Sequence, residues 1–122
     1  MATGVRNDSL FRANLGIASL TLLAEVTVHY RVRDATGAIL VEGMKAMPPS
    51  TVSQWSFSSL GVPTTEGPLT VELWLDPADV LPDACATLFP NMFIAYVSKV
   101  DNGTGDAEYI YAAPNDPYDC GK

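Results

Sequence analysis

From Leu10 onward the chain alternates apolar and polar residues in short runs, each broken by Gly, Pro, Asp, Ser or Thr. That rhythm is the one expected of an all-β sandwich. The clearest run is residues 25–33. Val26, Val28, Tyr30 and Val32 fall on one side, and Glu25, Thr27, His29, Arg31 and Arg33 fall on the other. Such a strand has one buried face and one wet face. Asp34-Ala35-Thr36-Gly37 is turn chemistry, and residues 38–46 return as its hairpin partner.

Upstream, residues 10–18 read as a first strand with Phe11, Ala13, Leu15 and Ile17 on one face and Arg12 and Asn14 on the other. Met47-Pro48-Pro49-Ser50 stops the second strand of the hairpin. A short strand then spans residues 52–57, with Trp55 and Phe57 predicted to be core, and residues 60–68 read as a loop. In residues 69–75, Leu69, Val71, Leu73 and Leu75 point inward, while Thr70, Glu72 and Trp74 point outward. Residues 93–112 form a last hairpin whose turn is Asp101-Asn102-Gly103-Thr104-Gly105-Asp106. Gly103 and Gly105 would supply positive φ there, and Asp101, Asn102 and Asp106 would hydrogen-bond the turn backbone. Residues 76–91 are a long connection in which Pro77, Pro82 and Pro90 limit any helix to a few residues. Residues 1–9 read as a linker remnant, and residues 113–122 as a tail.

A length of 122 residues suits one domain with one core. Seven Lys+Arg against fourteen Asp+Glu give a net charge of −7, which disfavours nucleic acid and anionic lipid. No apolar run approaches the roughly 20 residues of a membrane-spanning helix, so no membrane insertion is expected. Met1-Ala2-Thr3-Gly4 has neither the basic nor the apolar region of a signal peptide, so the secreted reading expects a leader outside this chain. Cys85 and Cys120 lie in the two segments without strand periodicity. A bridge between them would close a loop of about 36 residues, stabilise by roughly 3–4 kcal/mol and tie down the tail. The bridge is the expected state, with two free thiols as the alternative.

Two short motifs carry a resemblance. Phe11-Arg12-Ala13-Asn14-Leu15-Gly16 near the start, and the stretch from Ala95-Tyr96-Val97-Ser98 to Asp101-Asn102-Gly103-Thr104-Gly105-Asp106 near the end, are similar to those of an immunoglobulin-like β-sandwich module. Such modules occur near the C-termini of secreted, multi-domain bacterial proteins and typically read F-R-T-N-L-G and A-Y-A-S-x-x-D-N-x-T-G-D-P. Ala13 and Ala107 depart from that pattern, as does the length of the 76–91 connection. The resemblance implies an accessory module and names no substrate. It also motivates a pair between Arg12 and Asp101, one residue from each motif.

Chemistry-bearing residues are sparse. His29 is the lone histidine and lies on the wet side of its strand, where it reads as structural. Asp76, Asp79 and Asp83, and separately Asp101, Asp106 and Glu108, are hard oxygen ligands in type, yet neither set has the spacing of a calcium loop. They read as turn residues, and neither a metal nor a cofactor is expected. No nucleophile elbow or carboxylate pair in a cleft is evident, so no catalysis is expected. Asn7-Asp8-Ser9 and Asn102-Gly103-Thr104 match the N-glycosylation pattern. The aromatic residues are the stronger lead. An outward Trp74 beside Glu72, extended by Tyr109, Tyr111 and Tyr118, would stack on a sugar ring or a protein partner, unless the 76–91 connection or the tail covers it.

These readings predict an antiparallel, immunoglobulin-like β-sandwich of about seven strands over residues 10–112. The function expected is a non-catalytic extracellular binding, attachment or spacer module of a secreted or surface protein. Two alternatives are a carbohydrate-binding module and a fibre subunit that self-assembles by donating residues 10–18 to a neighbour.

Overall fold

The computed structural model describes residues 1–19, 25–75 and 93–112. Among these residues there are eight strands and no helix: β1 (Ala2–Asn7), β2 (Phe11–Ser19), β3 (Val26–Arg33), β4 (Ile39–Met47), β5 (Val52–Ser56), β6 (Thr65–Leu75), β7 (Phe93–Asp101) and β8 (Ala107–Tyr111). They form two antiparallel four-stranded sheets, β1-β6-β3-β4 (sheet A) and β5-β2-β7-β8 (sheet B). The architecture is a β-sandwich.

Alternation decides which side chains enter the core. In β3 every second residue is buried, and Val26, Val28, Tyr30 and Val32 meet Leu69, Val71, Leu73 and Leu75 of β6 on the inner face of sheet A. Sheet B contributes Ala13, Leu15, Ile17 and Val97, with Phe57 fully buried beside them. Trp55 is only partly buried. It packs against this core from edge strand β5, and the Lys45 ammonium of edge strand β4 lies 5.0 Å from its ring centroid. This cation–π contact bridges the two sheets along one open side of the sandwich.

The structure corrects several expectations. Residues 1–9 are no linker, because Ala2–Asn7 pairs with β6 and places Ala2 and Val5 in the core. Nor are residues 65–68 a loop, since β6 begins at Thr65 and extends to meet β1. In the last turn only Gly105 has positive φ (80°), while Gly103 stays outside that region. Asp101 organises the turn: its Oδ1 accepts from Gly103 N–H at 2.7 Å and from Thr104 N–H at 3.2 Å.

The corner between β1 and β2 carries the chain from one sheet to the other, and a buried carboxylate holds it. Asp8 Oδ1 accepts from Leu10 N–H (2.9 Å) and Phe11 N–H (3.0 Å), and Oδ2 accepts from Arg6 Nε at 2.9 Å. Burial opposes ionisation of Asp8. The hydrogen bonds from Leu10, Arg6 and Phe11 outweigh it and hold the pKa below the usual 3.8.

Candidate functional site: two aromatic faces

Among the described residues the inner faces form the hydrophobic core, and the exposed aromatic groups of both sheets lie on the outer faces. On sheet A the register sets Trp74 opposite His29 and His29 opposite Met44, with Glu72, Arg31 and Glu42 in the next row. The His29 and Trp74 rings stack with centroids 5.4 Å apart and planes 11° from parallel. The Arg31 guanidinium carbon lies 4.8 Å from the Trp74 ring centroid. Arg31 also donates to Glu42 Oε1 through Nε (2.9 Å) and Nη2 (2.6 Å), and its Nη1 is 3.8 Å from Glu72 Oε2. Arg33 Nε completes the set at 2.5 Å from Glu72 Oε1. A shallow depression of about 240 Å³ remains, lined by His29, Glu42, Gly43, Met44 and Trp74. Trp74 is thus partly buried and engaged by its own neighbours.

Sheet B is arranged differently. Its outer face carries two rows across the strands, Gln54–Gly16–Tyr96–Tyr111 and Ser56–Asn14–Ser98–Tyr109. Gly16 has no side chain, and the Tyr96 ring occupies the space above it; a Cβ there would sit within 2.6 Å of Tyr96 Cε2. The ring therefore forms a floor on the sheet, and its hydroxyl donates to Gln54 Oε1 at 3.0 Å. Tyr109 and Tyr111 stand against it at 61° and 53°, with centroids 5.9 and 6.2 Å away. They are 58% and 69% exposed, so their outer ring faces meet solvent. Among the described outward-facing positions of this sheet the sole charge is Arg12, and no carboxylate is present.

The expected five-residue surface therefore splits. Trp74 and Glu72 lie on sheet A, Tyr109 and Tyr111 lie on the opposite side of the sandwich, and Tyr118 falls outside the described residues. Sequence reasoning missed Tyr96 and Gln54. Tyr96 lies between the inward-facing Ala95 and Val97, and that phase was the available signal. Gln54 becomes informative only once β5 is known to pair with β2.

The Arg12–Asp101 pair is replaced by another contact. Register sets Arg12 opposite Val100, and its Nη1 donates to Asn102 Oδ1 at 3.1 Å. Asp101 lies opposite Phe11 and spends its carboxylate on the turn. Asn102 Nδ2 donates to Ser9 O at 3.3 Å, so Asn102 links the turn to the β1–β2 corner. Asp106 contributes its backbone, which donates to Thr104 Oγ1 and accepts from Asp101 N–H. Of the two sequons, that at Asn7 is buried, with Oδ1 accepting from Ala13 N–H, and that at Asn102 is exposed. Cys85, Cys120, Asp76, Asp79 and Asp83 lie outside the described residues. Among those described, no three His, Cys, Asp or Glu side chains converge as metal ligands, and Glu108 is 3.2 Å from Lys99 Nζ.

No family model, curated protein or solved structure matches this chain.

Proposed function

We propose that the protein is a non-catalytic binding module that attaches a larger secreted or surface protein to an uncharged ligand, using the outer face of sheet B. The observation that carries this reading is the tyrosine group on that face. Tyr109 and Tyr111 are highly exposed and stand beside the Tyr96 floor, and the described outward-facing positions of this sheet carry no carboxylate in a chain of charge −7. Large aromatic side chains held in place by neighbours contribute much contact area at little entropic cost, and for that reason they dominate recognition surfaces. The similarity to immunoglobulin-like accessory modules adds support. The fibre alternative is less well supported, because β2, the strand it would donate, is paired on both sides by β5 and β7 of the same chain.

The test is a fragment screen by amide NMR on the isotope-labelled protein, with matched charged and uncharged fragments. Uncharged fragments should shift signals of Gln54, Tyr96, Tyr109 and Tyr111 together, and Tyr109→Ala/Tyr111→Ala should remove those shifts. Shifts gathered instead around Trp74 and His29, or scattered over both sheets, would overturn this reading.

A further inference from the structure

The ligand class can be narrowed, and this step rests on the reading that sheet B's outer face is the binding surface. We infer that the occupant is a neutral saccharide, with the C–H face of a pyranose ring on the Tyr96 floor and Tyr109 and Tyr111 as side walls.

Three features point to it. The first is charge. Arg12, the face's sole described charge, is at one end of β2 and already donates to Asn102, so the centre offers neither partner nor repulsion to an ion. An anionic or cationic ligand would lose hydration there with no compensating pair.

The second is the mixture of groups within each row. Gln54 and Tyr96 share a row with Tyr111, and Ser56, Asn14 and Ser98 share one with Tyr109, so amides and hydroxyls lie in both rows that carry the rings. Gln54 spends its oxygen on Tyr96, which orients its amide N–H groups as donors. Among the described residues the Asn14 amide has no hydrogen-bond partner, and it lies on the same face. A pyranose presents this same alternation of C–H patches and hydroxyls. A lipid tail would leave the amides unpaired on contact.

The third is shape. Rings tilted by 53° and 61° against a floor make an open corner. A corner holds a puckered ring on two sides, whereas a flat aromatic ligand would be better served by coplanar rings. Ile94 and Val52, 47% and 68% exposed, extend the border beyond the Gln54–Tyr111 row and leave room for a second sugar unit.

The experiment titrates the labelled protein with neutral oligosaccharides of glucose, xylose and mannose and with an acidic oligouronate, followed by amide NMR. Saturable shifts at Gln54, Tyr96, Tyr109 and Tyr111 from at least one neutral series, and none from the oligouronate, are expected. Tyr111→Ala should weaken binding about tenfold or more, as loss of one stacking ring in a small site implies. Tyr111→Phe should stay within about threefold, because the ring carries the contact. Met44→Ala, on the opposite face, should leave affinity unchanged. Equal losses for the Phe and Ala variants, or preference for the oligouronate, would overturn the inference. If uncharged fragments bind this face and none of the saccharides does, the saccharide inference fails and the binding face stands. If neither binds, both fail.

Discussion

On sheet A the aromatic residue is engaged by the protein itself: Trp74 is stacked on His29, approached by Arg31 and bordered by carboxylates that Arg31 and Arg33 neutralise. On sheet B the three tyrosines support one another from below and leave Tyr109 and Tyr111 with ring faces toward solvent. The two faces thus use aromatic groups for different ends. An aromatic with neighbours on its faces stabilises the sheet beneath it, and one whose ring face is open is available for recognition. The Tyr–Gly cross-strand pair sharpens the contrast because it occurs twice. Tyr30 opposite Gly43 lies on the inner face and is buried, while Tyr96 opposite Gly16 lies on the outer face.

The largest effect that can break this comparison is on stability. Trp74→Ala should cost about 2–3 kcal/mol, somewhat below a fully buried aromatic, since it removes a partly buried ring and two stacked contacts. Tyr111→Ala should cost under about 0.5 kcal/mol, as an exposed position does. Urea denaturation of both variants decides it. Equal losses would mean that the two faces are not different in kind.

Much of the fold was legible in the sequence for a physical reason. β3 and the second half of β6 are buried on one face only, so period-two alternation reports them directly. β1 was illegible because its alternation is broken. Gly4 has φ of 71° and the pairing shifts register between Ala2 and Val5, so the two core residues are three positions apart. The start of β6 was hidden by Gly67 and Pro68, which read as a loop and are tolerated here because β1 pairs irregularly beside them. In the candidate site, alternation gave the outward direction of Trp74, and the residues of the last hairpin supplied Tyr109 and Tyr111. That these lie on opposite sides of the sandwich depends on which strands share a sheet, and local pattern does not encode it.

The next effect compares the two Tyr–Gly pairs. Gly43→Ala drives a methyl into Tyr30, which is packed in the core, and should cost about 1–3 kcal/mol as overpacking does. Gly16→Ala drives one into Tyr96, whose ring can swing into solvent, and should cost less than about 1 kcal/mol. The outer substitution should nonetheless remove saccharide binding by lifting the floor. Thermal melts with one oligosaccharide titration measure both, and a Gly16→Ala protein that binds normally would show that Tyr96 is not the floor.

A smaller effect comes from the corner that joins the faces. Asp8 has a folded pKa held below its usual value, so its contribution is complete above the unfolded pKa and is lost as pH falls through the folded one. Asp34 acts in the same direction, chiefly through the hydrogen bond from the Thr36 hydroxyl. Stability should therefore be level near neutrality and fall below about pH 4. In Asp8→Asn the acid-side fall should be shallower, because the ionised form no longer exists to be lost. An unchanged slope in urea denaturation between pH 5 and pH 2.5 would remove Asp8 from the account.

The smallest effect tests whether the ion network on sheet A matters beyond holding Arg31 over Trp74. Glu42 is nearly half exposed, so its pairing with Arg31, in which Oε1 alone accepts from two guanidinium nitrogens, is screened by water and should contribute about 0.5 kcal/mol. Glu42→Gln keeps one acceptor oxygen for the guanidinium and removes the charge. Glu72 remains to hold Arg31 and Arg33, so the stacked group should survive with its tryptophan fluorescence little changed. The small difference from the parent protein should shrink further as salt rises toward 1 M, where the screening length is about 3 Å. A difference that persists at high salt would mean that Glu42 acts through packing around the depression. Sheet A's outer face would then be held together by shape, and the charge contrast with sheet B would lose its energetic meaning.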